Sequence, residues 1–373
     1  MSQQPWLLTN INMELANNLM KEAVSNDVFP GGVLLVSTAG SAIFFEAYGY
    51  ANIFSGRQMT RDTIFDLASL TKPLATTLAI MKLISQQKLD LDKRLGSILS
   101  QFNSTDKGRI SIENLLYHNA GLPDYRPYYK LLCKLEPNKR KDVLRELLVE
   151  EPLINSPGKQ VLYSDVGFMI LCWVIEQVSG NRLDRFVTEE IYNPLGLENL
   201  FFVDFDSKLR QAKFAATEFC PWRNILLEGT VHDDNAYVVG CIEGHAGLFG
   251  MAQDVLSLLS ELMAAYLEFP STDVFDSCLI QMFFKRQERT GRALGFDTPS
   301  PVDPSCGRYF SKESVGHLGF TGTSFWMDLD RKVIIILLTN RVHPSRNNSK
   351  IKAFRPKLHD MVMKNLIKNG LIK

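Results

Sequence analysis

The sequence predicts an α+β protein: an antiparallel sheet drawn from both ends of the chain, flanked by helices, with a mainly helical lobe inserted between. Two observations carry this. Near the start, "GGVLLVSTAGSAIFFEAYGYAN" is two β-rich runs separated by Thr38-Ala39-Gly40-Ser41, the pattern of a hairpin. Near the end, "SVGHLGFTGTSFWMDLDRKVIIILLTNRVH" repeats it, with a turn expected at about Asp328 to Arg331. Strands at both ends with helices between argue against alternating βαβ units.

The elements follow in order. A first helix is expected from about Ile11 to Ser25. Leu74, Leu78, Met81 and Ile84 keep the i, i+3, i+4 spacing of one apolar helix face. "DVGFMILCWVIEQVSG" and "AQDVLSLLSELMAAYLEF" read as long helices, and loops rich in Pro, Gly and Asn separate them. The basic tail "SRNNSKIKAFRPKLHDMVMKNLIKNGLIK" reads as a C-terminal helix packed on the sheet, its lysines solvated. The chain is read as one catalytic domain over 1–373, with a sheet lobe at about 10–75 and 250–373 and a helical lobe at about 76–249.

Composition narrows the partners. Of 373 residues 45% are hydrophobic, ample for a large core, and 41 basic side chains balance 41 acidic ones. That balance gives no electrostatic reason to expect nucleic acid or an anionic membrane as partner. The longest strongly aliphatic run, Val333 to Leu338, is far too short to span a bilayer and suits a buried strand. "MSQQPWLLTNINMELANNLMKEA" lacks the marks of a secretory signal, so the expected location is the cytoplasm. The six cysteines are scattered without a C-x-x-C and read as free, mostly buried thiols, with no metal and no cofactor expected.

Chemistry concentrates in Ser69-Leu70-Thr71-Lys72-Pro73. Residues three apart on a helix project from one face, so Ser69 and Lys72 can hydrogen-bond. Proline is tolerated only in the first turn, which sets Ser69 at a helix start, where free N–H groups and the helix dipole favour an alkoxide or oxyanion. A buried Lys72 there is expected to have a lowered pKa, as a proton-accepting lysine requires. Taken alone, S-x-x-K equally describes two polar residues opening an ordinary helix.

Two companions raise its weight. Tyr163-Ser164-Asp165 precedes a helix. Tyr163 reads either as a proton shuttle, its pKa pulled below about 10 by nearby cations, or as a half-buried tyrosine beside capping residues. Gly316-His317-Leu318-Gly319-Phe320 lies on a strand where glycines suit close approach of a ligand or backbone. Such a strand can present the Phe320 N–H as an oxyanion donor beside that of Ser69, with His317 as a polar or cationic rim group or as a structural histidine. His232, Asp233 and Asp234 read as a loop network rather than metal ligands, His118 and Asn119 as structural support, and His245 as a cleft contact or a turn residue.

In this order, Ser69-Leu70-Thr71-Lys72, Tyr163-Ser164-Asp165 and His317-Leu318-Gly319 resemble the three motifs of the serine β-lactamase and penicillin-binding-protein superfamily, nearest its class C β-lactamase-like branch of esterases, D-peptidases and a muropeptide amidase. "LLYHNAGLPDY" resembles that branch's "LLTHTSGLPDY", and "VHDDNAYVVGCIEGHAGLFGMAQDV" resembles the stretch before its late helix. The likeness spans roughly residues 25 to 345. It implies a β-lactamase/transpeptidase-like fold, with Ser69 as acylated nucleophile, Lys72 as base and Tyr163 as proton relay. Asp165, His317, Gly319, Phe320 and His245 would bind substrate or the oxyanion. Two positions depart from class C β-lactamases: Asp165 stands in place of the Asn of Y-x-N, and His317 in place of the Lys of K-T-G. A carboxylate for a neutral amide and a lost lysine charge predict weak β-lactamase activity.

The reading is a cofactor-free serine hydrolase acting through an acyl-enzyme on an ester or amide of a small molecule. The alternatives are a muropeptide amidase or D-peptidase and, in another class, a non-catalytic penicillin-binding-like relative. Neither substrate identity nor oligomeric state follows from the residues.

Overall fold

A computed structural model describes residues 13–203 and 214–373. Its centre is a six-stranded antiparallel sheet, in the spatial order Arg57–Gln58, Ser41–Asn52, Gly31–Thr38, Val333–Thr339, Ser324–Asp328, Ser314–Leu318. The two central strands come from opposite ends of the chain, with Val36 opposite Ile335. The α+β architecture read from the sequence is therefore present, antiparallel throughout this sheet.

Gly31–Thr38 and Val333–Thr339 are buried along their whole length, so they read as continuous apolar runs rather than alternating ones. Each face packs on helices. Leu34, Val36, Ile335 and Leu337 meet the first helix, Glu14–Ser25, and the last, Ile351–Lys368, through Met20, Leu358 and Val362. Val33, Leu35, Ile334 and Ile336 join the main core with Leu258 and Leu262 of the helix Ala252–Tyr266 and the all-round apolar helix Asp165–Ser179.

The first hairpin turns where expected, Ala39 and Gly40 both taking positive φ as a tight two-residue turn requires. The C-terminal run holds one strand more than the sequence suggested. A turn at Gly319–Thr323 divides its first half into Ser314–Leu318 and Ser324–Asp328, and Gly319 N–H bonds Thr323 O at 2.7 Å across it. Of the first helix expected from about Ile11, residues 11 and 12 lie outside the described residues, as does much of the segment examined for a secretory signal. Among the described residues no helix is long and apolar enough to cross a membrane. All six cysteines carry free thiols, Cys133 and Cys278 exposed and the other four buried.

Candidate active site

The Ser69 segment is built by short-range geometry. Asp66 accepts the Ala68 N–H at 2.9 Å, which holds Ala68 at φ 49°, and the chain then enters a single 3-10 turn, Ala68–Leu70, carrying Ser69. Thr71 hydroxyl donates to Ala68 O at 2.6 Å and accepts the Leu248 N–H at 3.1 Å, tying this turn to a neighbouring strand. The sequence suggested an α-helix from here. Instead Lys72–Thr77 winds as a wider π-type turn, and α-helix begins at Leu78. Pro73 is the cause, since it has no N–H to return to the carbonyl of Ser69.

Lys72 is completely buried, its Nζ 3.1 Å from Ser69 Oγ, 3.2 Å from His245 O and 2.7 Å from Asp165 Oδ1. Here the structure corrects the sequence reading. Burial, the largest single influence, would lower the Lys72 pKa, but the adjacent Asp165 carboxylate and the Tyr163 phenol together outweigh it, and the pKa is raised. Tyr163 is corrected likewise: the low-polarity surroundings of its phenol outweigh the pull of Lys72, and its pKa is raised rather than drawn below 10.

Tyr163 stands beside this pair, with Lys72 Nζ 4.8 Å from its ring centroid. Residues 161–164 have no regular secondary structure. Ser164 caps the helix Asp165–Ser179 by accepting the Gly167 N–H at 3.1 Å, so the capping role and the position of Tyr163 coexist. Asp165 occupies the first turn of that helix, its side chain 19% exposed toward the cleft.

The C-terminal strand closes the other side. The Gly319–Thr323 turn locks onto the Ser69 segment, Thr323 Oγ1 donating to Leu67 O at 3.0 Å and Thr321 Oγ1 to Asp66 O at 2.8 Å. A Cβ on Gly319 would lie 2.0 Å from Thr323 Oγ1 and 2.7 Å from Leu67 O, so only glycine allows the approach. Phe320 reaches the cleft half-exposed, between the His232 ring at 5.6 Å and Arg341 at 4.4 Å.

His317 is not a rim group. It is 1% exposed and does not line the cleft, and its Nδ1–H donates to Leu318 O at 2.9 Å. Burial drives its pKa down to about 4, against the pull of Asp297 and aided by Lys72 and Arg292. It is therefore neutral near pH 7, and the expected cationic alternative is excluded.

His245 does line the cleft. Its Nε2 meets Asp233 Oδ1 at 2.9 Å, and although burial opposes charge, Asp233 raises its pKa. A Cβ on Gly244 would lie 2.1 Å from Phe168 O, so that glycine lets the His245 carbonyl reach Lys72. His232, Asp233 and Asp234 form the hydrogen-bonded network expected of them. His232 N–H donates to Asp66 at 2.7 Å and its ring meets Glu218 at 3.2 Å, while Asp234 pairs with Arg223 at 2.8 Å and Arg346 at 3.2 Å. Burial would raise Glu218, but hydrogen bonds from His232 and Arg346 hold its carboxyl down at about 2. Among the described residues no cluster is suited to hold a metal ion.

Ser69, Tyr163, Asp165, His245 and Phe320 thus share one cleft of about 370 Å³. Sequence reasoning did not place Asp233, Asp234, Tyr125 or Arg346 on its wall. Arg346 arrives from a loop after the last strand, and no spacing in the sequence could signal that. Asp66 was also missed, although an Asx residue two before Ala68 is a legible turn signal.

The chain belongs to the beta-lactamase family, whose model matches residues 16–355, a superfamily of serine hydrolases with carboxypeptidase and amidase relatives. Over 358 residues it is 31% identical to an Escherichia coli K12 protein named as a D-alanyl-D-alanine carboxypeptidase, covering 87% of this chain and 82% of the other. It is also 31% identical over 352 residues to a Bacillus subtilis protein named N-acetylmuramyl-L-alanine amidase, covering 84% and 78%. The fold is shared with EstCE1, a hydrolase with promiscuous acyltransferase activity (TM-score 0.71, 24% identity, 92% and 98% covered). It is shared too with the octameric penicillin-binding protein homologue from Pyrococcus abyssi (TM-score 0.73, 18% identity, 96% and 78% covered).

Proposed function

We propose that the protein is a serine hydrolase that cleaves an ester or amide bond of a small molecule through an acyl-enzyme on Ser69. The observation that carries this is the chain Ser69 Oγ, Lys72 Nζ, Asp165 Oδ1, with steps of 3.1 Å and 2.7 Å, opening on the cleft. Ser69 Oγ attacks the substrate carbonyl carbon while the N–H groups of Ser69 and Phe320 hold the developing oxyanion.

The ammonium form of Lys72 cannot itself take the serine proton. Lys72 instead accepts it as it passes one of its own to Asp165, so the ammonium is conserved and Asp165 becomes the carboxylic acid. Tyr163 then hands a proton to the leaving group and is reprotonated from Lys72, which recovers its own from Asp165. A water attacks the acyl-enzyme by the same route, and Ser69 is released.

Asp165 and the buried, neutral His317 stand where class C β-lactamases carry a neutral amide and a lysine, so β-lactam turnover is expected to be weak. The amidase and carboxypeptidase names of the 31% identical relatives make a muropeptide the second substrate to test. Hydrolysis of a p-nitrophenyl ester, a muropeptide and a penicillin, each by wild type and Ser69→Ala, tests the reading. Turnover of the ester or the muropeptide that disappears in the variant supports it and chooses between substrates. No Ser69-dependent turnover of any of the three would favour the non-catalytic alternative.

A further inference from the structure

Tyr163 lies in a stretch without regular secondary structure, so neither a helix nor a strand fixes its phenol. Its two chain neighbours are nevertheless both bonded to one residue, His118. The His118 carbonyl accepts the Leu162 N–H at 2.8 Å, and His118 Nδ1 accepts the Ser164 N–H at 3.0 Å. Between these two bonds the imidazole lies against the Tyr163 ring, 4.6 Å between centroids, and 5.1 Å from Phe168. His118 is 3% exposed and sits at φ 55°, a conformation that sends its carbonyl and its ring toward the same segment.

The protonation state is fixed by the same geometry. An Nδ1 that accepts a backbone N–H is unprotonated, so the ring is the neutral Nε2–H tautomer. Burial first, and then Arg292, Lys72 and His317, push its pKa well below 6.5, consistent with that form.

We propose that His118 is a positioning residue for the Tyr163 step of the reaction: bracketing residues 162 and 164 and packing its ring against that of residue 163, it holds the phenol against Ser69 and Lys72. This rests on the role given to Tyr163 above. His118 itself lines no part of the cleft.

Three variants separate the components. His118→Asn keeps an acceptor at the position of Nδ1 and tolerates positive φ, His118→Phe keeps the ring and loses the acceptor, and His118→Ala loses both. The readout is the single-turnover rate at which an alkyl ester or amide, whose leaving group needs the Tyr163 proton, labels Ser69 as the acyl-enzyme, alone and in a Tyr163→Phe background, on variants whose melting temperature confirms folding. Misplacing a reacting group by about 1 Å costs on the order of 10²-fold, so His118→Phe and His118→Ala are expected to slow labelling by about 10- to 100-fold. His118→Asn is expected to recover to within about threefold of wild type, and in Tyr163→Phe the three substitutions to change the rate less than about twofold.

Equal losses in both backgrounds, or an unimpaired folded His118→Phe, would overturn the proposal. A 13Cζ-tyrosine NMR signal, assigned to Tyr163 by its loss in Tyr163→Phe, gives a second arm independent of rate. It is expected to shift or broaden in His118→Phe and to return in His118→Asn, and an unmoved signal counts against the proposal. If Tyr163→Phe alone labels at the wild-type rate, the catalytic role of Tyr163 fails, and the NMR arm still decides whether His118 positions its ring.

Discussion

Two halves of the site are held by different physics. Ser69 and Lys72 are three residues apart, and their contact follows from one turn of chain with a proline behind it. Tyr163 is held by a loop about 45 residues upstream: His118 bonds to both its neighbours, Pro123 O accepts the Ser164 hydroxyl at 2.6 Å, and Asp124 O accepts the Asp165 N–H at 2.8 Å. The first half is local and its parts are near neighbours in the chain. The second is tertiary, so its precision depends on residues that never touch the reacting atoms.

The largest effects should come from the local half. Lys72→Ala is expected to slow Ser69 acylation by at least about 10²-fold, the scale of removing a proton-transfer group, measured as single-turnover labelling. An unchanged rate would take the proton role away from Lys72.

Asp165→Asn sharpens the role of the buried pair. With the carboxylate removed, burial loses its main opponent and the Lys72 pKa falls, so the lysine becomes a base only after losing its proton to solvent. In the variant the acid side of the rate profile reports protonation of Lys72, so the rate should fall toward acid pH and recover in alkaline buffer. The groups facing Asp165 that also enter the profile are Lys72, Tyr163, His245 and Tyr125. Superimposable profiles would remove Asp165 from the proton path.

The tertiary half is broken most simply at Gly121. It sits at φ 80°, its carbonyl accepts the Ile154 N–H at 2.8 Å, and a Cβ there would lie 2.0 Å from Asn155 O. Gly121→Ala is expected to cost about 1–3 kcal/mol in denaturant unfolding and to slow acylation without altering the Ser69–Lys72 contact. The smallest effect concerns His317. Its unfolded imidazole titrates near 6.5 and the folded one at about 4, so between those values the unfolded chain binds protons that the folded chain does not. Stability should fall as pH drops through that window, and His317→Asn should flatten the fall in melting temperature between those limits.

The same contrast explains what the sequence made legible. The α+β architecture, both hairpins and the Ser69–Lys72 spacing depend on runs of fewer than about twenty residues, within reach of periodicity and turn chemistry. Resemblance supplied the order of the three segments, but not the charge state of their members. Lys72 was read as a lowered-pKa base because its burial could be anticipated, whereas the 2.7 Å approach of Asp165 could not. For His317 the sequence leaves both a rim group and a structural histidine open, because the flanking glycines mark a strand that permits close approach but not how deep that strand lies. Asp233 and Arg346 reach the cleft wall through folding of distant loops and left no local signal.

Every step proposed for the cleft requires Ser69 to form a covalent adduct. Intact mass and peptide mapping after fluorophosphonate treatment should show a single adduct on the peptide carrying Ser69, absent in Ser69→Ala. An unmodified wild-type chain, or an adduct that persists in Ser69→Ala, would take the nucleophile role away from Ser69.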